Sequence, residues 1–201
     1  ESAASRLAER ILQQADAGTV HWITRHEIPI AMEVDRPDQV GIDRLLSAYA
    51  AMRLHDPPLV VVDAGSAVTI DWVDGSGVYR GGSIMPGVQM QVQSLFLGAE
   101  ALPQLSIETA DSLSVPATNT IDAIQSGILI GISAAVVELS IRYRNLGGPA
   151  NDVVSVVVTG GDAGAISPHI RCSHRLHPNL VCRGLLELQA TGIARDDGAN
   201  E

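Results

Sequence analysis

The fold is decided by Leu59-Val60-Val61-Val62-Asp63-Ala64-Gly65-Ser66-Ala67-Val68-Thr69-Ile70-Asp71-Trp72-Val73, in which two apolar segments flank a short turn. Residues 59–62 form an unbroken apolar run, which is typical of a buried strand, and residues 67–73 alternate as a half-buried strand does. Between them, Asp63, Gly65 and Ser66 are residues that favour turns. The stretch therefore predicts two antiparallel strands joined by a tight connection.

The sequence on either side extends this pair into a larger sheet. Residues 78–81 begin a third strand after an Asp-Gly-Ser-Gly turn, which gives an antiparallel meander. The remaining predicted elements are helices at 5–14, 43–54, after Pro86 to about 97, 120–144, 163–166 and 184–191, and strands at 20–23, 28–34, 153–158 and possibly within 171–180. This order predicts an α/β fold with a mixed sheet covered by helices.

Composition narrows the classes of function. The net charge of −10 would repel a phosphate backbone, so a nucleic-acid partner is not expected. The most apolar stretch, residues 128–137, is shorter than the roughly 20 residues of a membrane helix, so no membrane partner is expected either. The only two cysteines, Cys172 and Cys182, do not form a secreted disulfide framework. The sequence thus predicts a globular, cytoplasmic protein.

The first candidate site is the turn that contains Asp63, Gly65 and Ser66. An acidic residue at the end of a strand, followed by a glycine and a hydroxyl, can place a carboxylate, backbone N–H groups and an O–H around a phosphate and its cation. The alternative is an ordinary turn, where Asp-x-Gly is common in its own right. The residues alone leave both interpretations open.

The second candidate is Gly41-Ile42-Asp43-Arg44, where a loop enters a predicted helix. Asp43 could cap that helix with its side chain. It could instead act as a general base that takes a proton from an alcohol, while Arg44 pairs with an anion, as phosphoryl transfer to a hydroxyl requires. Without further context, capping is the simpler interpretation.

Two glycine-rich segments are further candidates. Thr159-Gly160-Gly161 follows a predicted strand, and its glycines would let an adenine or ribose lie against the backbone, or would only allow a tight turn. The segment from Gly81 to Gly87 places glycines and a proline before a helix whose N-terminus attracts anions. It could equally serve packing alone.

A cluster of possible zinc ligands comprises His169, Cys172, His174 and His177. Thiolate and imidazole are ligands that zinc prefers, but this spacing fits no established zinc motif. A polar surface segment is therefore the favoured interpretation.

Taken together and in order, these segments resemble the type III pantothenate kinases. The quoted Gly41–Arg44 segment is similar to that family's Gly-x-Asp-Arg substrate motif, and residues 63–71 are similar to its Asp-x-Gly-Thr-Ala-x-Thr-x-Asp phosphate motif. The resemblance spans residues 37–185. Its other parts are Gly-x-Ile-x-Pro-Gly at 82–87, Thr-x-x-Ala-Ile-x-x-Gly at 120–127, the adenosine motif Thr-Gly-Gly at 159–161, Asn-Leu at 179–180 and Gly-Leu at 184–185.

The resemblance implies an actin-like (ribonuclease H-like) fold of two lobes, a homodimer, and transfer of the ATP γ-phosphate to pantothenate as the first step of coenzyme A synthesis. It implies Mg²⁺ with the ATP, and K⁺ or NH₄⁺ as a monovalent cation. By position, the implied roles are a general base at Asp43, the cation at Asp63, pantothenate contacts at Gly41, Ile42, Arg44 and Thr120, and ATP contacts at Gly65, Ser66, Gly160 and Gly161.

The chain departs from the family pattern at three places. Ser66 replaces the usual Thr, and Val34 stands where a substrate-contacting Tyr is usual. The family's N-terminal Asp-x-Gly-Asn-Thr hairpin is not found in these 201 residues. We therefore expect an incomplete first lobe at 1–56, a second lobe at 57–195 and a disordered tail at 196–201. Alternative functions are a catalytically degenerate paralogue that binds nucleotide or pantothenate, and a kinase for another alcohol.

Overall fold

A mixed β-sheet forms the centre of the protein in the computed structural model, which describes residues 21–107, 112–146 and 154–192. The strands are β1 (Ala31–Met32), β2 (Leu59–Ala64), β3 (Ala67–Val73), β4 (Val78–Pro86), β5 (Ser155–Thr159) and β6 (His174–Leu176). They lie in the order β1-β4-β3-β2-β5-β6. Only β3 runs against its neighbours, and the β1–β4, β2–β5 and β5–β6 pairs are parallel. The predicted α/β class with a mixed sheet is confirmed.

The predicted meander forms the middle of this sheet. Every residue of β2 pairs with β3, with Asp63 opposite Thr69 and Val61 opposite Asp71. Strand β4 continues to Pro86, beyond the predicted start of the strand, and its pairing with β3 is interrupted by a bulge next to Asp71. The end of β2, where the candidate phosphate turn lies, is thus at the centre of the sheet.

Helices cover both faces of the sheet. They are α1 (Ile42–Leu54), α2 (Val88–Gly98), α3 (Thr120–Leu146), α4 (Ala163–Ile166) and α5 (Leu180–Ala190). One core packs α1 and α5 on the side chains of Val61 and Val157, and the other packs α2, α3 and α4 on those of Val60 and Val62. We call the side of the sheet covered by α1 and α5 the α1 face, and the side covered by α2, α3 and α4 the α3 face. Alternate residues of β2 and β5 face opposite cores, as strand geometry requires.

Helix α5 begins earlier than the sequence predicted. Its first residue is Leu180 rather than Gly184, and Asn179 before it has a left-handed backbone with a φ of 60°. Gly184 lies inside the helix, where a Cβ atom would stand 2.6 Å from the backbone oxygen of Leu46 in α1. This glycine therefore permits close packing of two helices, and the prediction that it begins the helix was wrong.

The first described residues also differ from the prediction. Residues 21–23 form no strand, and β1 is shorter than the predicted strand at 28–34. Thr24 and Glu27 form a capping box around a 3₁₀ turn, with the Thr24 amide donating to Glu27 Oε2 at 2.6 Å. This local hydrogen bonding replaces strand pairing, while Ile28 still points into the core. The predicted helix at 5–14 and tail at 196–201 lie outside the described residues.

Helix α3 extends well beyond residues 128–137, the apolar stretch that is too short for a membrane helix. It has 27 residues, and its mean hydropathy of 1.8 over the most apolar window is high enough for a membrane helix. A single such helix is weak evidence, because core helices of soluble proteins meet the same criterion. Within the described residues no other helix meets it.

Candidate active site

Helix α1 packs beside Asp63 of β2 and Asp71 of β3. From this helix, Ser47 Oγ donates to Asp63 Oδ2 at 3.4 Å, and Arg44 forms an ion pair with Asp71. The two motifs that the sequence singled out therefore meet on the α1 face of the sheet. Their acidic residues Asp43, Asp63 and Asp71 lie close enough that the first and third affect the ionisation of the second.

Asp43 lies exposed in the first turn of α1. Gly41 occupies the N-cap position and no side chain caps the helix, so the capping interpretation of Asp43 was wrong. A Cβ atom at position 41 would collide with Asp43 Oδ1. The glycine thus leaves room for the carboxylate, which faces solvent beside the phosphate turn.

Arg44 is held by a buried network. Its Nε lies 3.1 and 3.2 Å from the two carboxylate oxygens of Asp71, its Nη2 also donates to Oδ1, and the Tyr79 hydroxyl donates to the same oxygen at 2.7 Å. Burial opposes the charge of Arg44, but hydrogen bonding and attraction to Asp71 outweigh it and raise its pKa. Burial and the charge of Asp71 raise the pKa of Tyr79. Arg44 therefore donates to Asp71 through two of its nitrogens, Nε and Nη2.

Asp63 is a half-buried acidic residue with other negative charges nearby. Burial raises its pKa, the hydrogen bond from Ser47 opposes this, and the negative charges of Asp43 and Asp71 raise it further. Within the described residues, no arginine or histidine forms an ion pair with it. The end of β2 thus carries surplus negative charge.

Two glycines hold the turn after Asp63 from opposite sides. Gly87 donates its N–H to Ser66 O at 3.0 Å, and a Cβ atom there would stand 2.6 Å from the same oxygen. Gly160 has a φ of 99°, and a Cβ atom there would stand 2.6 Å from the backbone nitrogen of Ala64. Both close approaches are to protein backbone. At these positions the packing interpretation explains the glycine without any ligand.

The other predicted ATP-binding residues leave space open. A Cβ atom at Gly65 would meet only Ala67 O and Asp63 Oδ1, at the ordinary distances of 3.8 and 3.9 Å, and one at Gly161 would meet nothing within 4 Å. Ser66 is exposed at the tip of the turn. The Gly65 N–H is already used, because it donates to Ala67 O at 3.1 Å.

The predicted pantothenate contacts are divided between two regions. Ile42 packs partly against the core of the α1 face, next to Gly41 and Arg44. Thr120 is exposed at the first residue of α3, the helix that covers the other face. The structure thus brings three of the four residues together and places Thr120 elsewhere.

The possible zinc ligands make separate contacts. His174 bonds with Ser167 Oγ at 2.7 Å and with the Cys172 carbonyl at 2.8 Å, whereas His177 bonds with His55 at 2.9 Å. In the described part of the chain, no three His, Cys, Asp or Glu side chains form a group that could hold a metal ion. The polar interpretation of this segment fits these contacts better than zinc does.

His55 and His177 form a histidine pair that the sequence did not reveal. Arg175 Nη1 can only donate, so its 3.1 Å contact makes His55 Nδ1 the acceptor. His55 then carries its proton on Nε2 and donates to His177 Nε2, which requires both rings to be neutral. Burial lowers the pKa of His55, and the charge of Arg175 lowers it further, against a smaller opposing effect of Asp56.

Three residues of the acidic site were not identified from the sequence: Ser47, Tyr79 and Thr69. Thr69 is only 9% exposed, and its hydroxyl has no hydrogen-bond partner among the described residues. It lies directly opposite Asp63 and on the same face of the sheet. Strand alternation could have found it, because Thr69 and Asp71 are two residues apart and so share a face.

The protein is thus of the α/β class, and acidic residues lie near one another at the end of a central strand of its mixed sheet. A family model described as type III pantothenate kinase matches residues 2–142. A relative of that name from Rhodopirellula baltica is 41% identical over 84% of this chain and 61% of its own length. Another, from Rubrobacter xylanophilus, is 35% identical over 84% of this chain and 65% of its own length.

The chain therefore belongs to the type III pantothenate kinase family. It spans about three fifths of the length of the relatives just described. A solved structure from Campylobacter jejuni, described as a Baf family transcriptional activator, superposes with a TM-score of 0.64 over 93% of this chain and 78% of its own. At 22% identity this likeness supports the fold alone.

Proposed function

We propose that the protein transfers the γ-phosphate of ATP to the hydroxyl of pantothenate, the first step of coenzyme A synthesis. One observation supports the proposal: α1 holds Asp43 near enough to Asp63 for its negative charge to raise the pKa of that carboxyl, and Ser47 of the same helix donates to Asp63. A candidate base for an alcohol thus lies near the acidic residue of the candidate phosphate turn. Membership of the kinase family supports the same reaction.

Asp43 would be the general base. Its exposed carboxylate can accept the proton of the pantothenate hydroxyl as that oxygen bonds to the γ-phosphorus and the bond to the leaving ADP breaks. No other acidic residue of the site is as available, since Asp71 is bound by Arg44 and Tyr79. Gly41 and Ile42 would contact pantothenate beside this base.

Gly65, Ser66 and Gly161 would line the ATP. The open space at both glycines would admit the nucleotide, and the exposed Ser66 hydroxyl can donate to a phosphate oxygen. Gly160, assigned to ATP by the resemblance, would contribute by shaping the turn. Mg²⁺ would accompany the ATP.

Arg44 would contact the pantothenate carboxylate. Because its Nε and Nη2 already donate to Asp71, only donors not used in that pair are available without breaking it. Arg44 would therefore bind substrate as part of a fixed ion pair, with little loss of side-chain entropy.

Asp63 would hold a monovalent cation, K⁺ or NH₄⁺. The residues fit such an ion, since the carboxylate is half-buried, lacks a cationic partner among the described residues and lies beside two further acidic residues. A cation there would supply the positive charge that allows ATP phosphates to approach these carboxylates. We expect the reaction to stop when both ions are omitted.

The actin-like description of the fold is also a proposal. The order β4-β3-β2-β5-β6, with β3 alone reversed, supports assigning residues 57–195 to a C-terminal actin-like lobe. Residues 1–56 would then be the remainder of the first lobe. Within the described part of that segment, α1 shares one core with Leu59 and Val61.

We further propose a cytoplasmic homodimer in which Thr120 contacts pantothenate in the partner subunit. Thr120 begins the helix that covers the face opposite Asp43. Further along α3, the exposed Ile130 and Ala134 line a groove of about 710 Å³. Ile130→Glu should dissociate a dimer formed by this face, whereas Leu146→Glu, at the end of the same helix, should not. Light scattering would distinguish them.

The main test replaces the proposed base. Asp43→Asn should abolish ADP release with pantothenate while ATP still binds, because the amide cannot take the proton. Asp38→Asn is the matched control, since Asp38 is an exposed aspartate that pairs only with Arg36. Turnover by Asp43→Asn at the rate of the control would remove Asp43 from the mechanism.

Gly41→Ala tests the position of the base rather than its chemistry. The added methyl group would displace the Asp43 carboxylate, so kcat should fall while the unfolding temperature changes little. A panel of acceptor alcohols in the same assay tests the substrate. A clear preference for another alcohol would contradict the assignment of pantothenate.

A further inference from the structure

Thr69 has a buried hydroxyl with no hydrogen-bond partner among the described residues. Its Oγ1 atom is buried without a hydrogen-bond partner, and the residue is 9% exposed. Buried polar groups are nearly always paired, because leaving one unpaired costs the full desolvation of the group. Such an atom in a native protein points to a missing partner, which here must come from outside the described residues.

The position of Thr69 indicates what that partner is. Asp63 of β2 lies opposite Thr69 on one side and Thr159 on the other, so the three side chains form a row across the sheet on the α1 face. The Thr159 hydroxyl accepts a hydrogen bond from the Leu180 amide at 3.3 Å. The row therefore contains one hydroxyl with a structural task and one without.

The charge around this row favours a cation. Asp63 is half-buried and has Asp43 and Asp71 near it, whereas Arg44 is already bound to Asp71. An anion would be repelled by this group, and a cation would be attracted. The available ligands are one carboxylate and neutral oxygens, which suit a hard cation.

We propose that the Thr69 hydroxyl is a second protein ligand, beside Asp63, of the monovalent cation. The inference rests on the proposed cation site at Asp63 and adds a residue that shapes its selectivity. The hydroxyl oxygen offers a lone pair to the ion, and Asp63 offers the charge. A neutral second ligand keeps the net charge of the site suited to a single positive charge.

The test measures thermal unfolding against KCl concentration, with choline chloride holding the ionic strength constant. Because an ion that binds only the folded protein raises the unfolding temperature, wild type should show a saturable rise with K⁺. Thr69→Val keeps the shape and removes the hydroxyl, so the half-saturating K⁺ concentration should rise at least about tenfold. Without K⁺, Thr69→Val should be as stable as wild type or more so, since the unpaired hydroxyl is gone.

Three further variants make the result specific. Thr69→Ser restores a hydroxyl and should recover the response to K⁺. Thr159→Val should lower the unfolding temperature at every K⁺ concentration but leave the half-saturating concentration unchanged. Asp63→Asn should abolish the response altogether, because it removes the only formal charge that the row offers to the ion.

The outcomes distinguish a wrong role for Thr69 from a wrong cation site at Asp63. If wild type responds no more to K⁺ than Asp63→Asn does, the cation site itself is wrong. If Asp63→Asn loses the response and Thr69→Val keeps it, the cation site stands and the role of Thr69 is wrong. A Thr69→Val protein that is less stable without K⁺ would also overturn the inference, because its hydroxyl would then have a structural partner.

Discussion

Replacement of Asp71 by Asn should destabilise the protein strongly. Asp71 is almost fully buried and accepts from Arg44 and from Tyr79. Removing one partner of a buried ion pair costs about 3–5 kcal/mol, and we take the lower end, since the amide oxygen can still accept a hydrogen bond. At about 2–4 °C per kcal/mol for a chain of this size, the unfolding temperature should fall by about 6–12 °C.

Urea unfolding followed by tryptophan fluorescence would measure the change. Trp72 is buried next to Asp71 in the same strand, so its emission reports on this part of the sheet. The midpoint should fall without a change in slope. Tyr79→Phe is the matched comparison, because it removes one hydrogen bond to the carboxylate and leaves the ion pair, at a cost of about 1.5 kcal/mol.

An Asp71→Asn protein whose free energy of unfolding lies within about 1 kcal/mol of wild type would contradict this prediction, since the ion pair would then be screened as surface pairs are. A double variant, Arg44→Met with Asp71→Leu, gives a second check. Replacing both partners with apolar residues removes the unpaired charge, so this variant should be more stable than Asp71→Asn. If it is less stable, loss of packing rather than loss of charge explains the effect.

Two further predictions concern the α1 face and its edge. Gly184→Ala should lower the free energy of unfolding by about 1–3 kcal/mol, because the new methyl group would press on the Leu46 carbonyl. Gly164→Ala is the control and should leave stability unchanged, since a Cβ atom there meets nothing within 4 Å. Equal unfolding midpoints for the two variants would contradict the Gly184–Leu46 contact. Because the pKa of His55 is lowered in the folded protein, the unfolded chain binds more protons below about pH 6.5. The free energy of unfolding should therefore be independent of His55 above this pH and fall as the pH drops below it. His55→Gln should flatten this dependence of the unfolding temperature, and an unchanged slope would show that the His55–His177 pair does not cause it.

The sequence predicted the sheet well because strand alternation and turn residues are local signals. The run from Leu59 to Val73 predicted two antiparallel strands joined by a short turn, and the structure has both. The expectation that residues 67–73 would be half-buried was wrong, because helices cover both faces of β3. The acidic residues Asp43 and Asp63 were identified for the same reason, since each sits at a junction between elements. Their proximity depends on how α1 packs, which no local pattern contains.

The role of several glycines could not be predicted from the sequence. Gly65 and Gly160 look alike in the sequence, yet one leaves open space and the other packs against the backbone of Ala64. Gly184 appeared to start a helix and proved to be the contact between two. In each case the neighbour that decides the meaning of the glycine is distant along the chain.

The support that Gly87 and Gly160 give to the turn after Asp63 has a consequence for how this region can vary among proteins. Because backbone atoms fill the space on both sides, any side chain at these two positions would deform the turn even though neither residue need touch a ligand. Loss of either glycine in a related sequence would therefore be a sign of altered ligand binding that a comparison restricted to ligand-contacting residues would overlook.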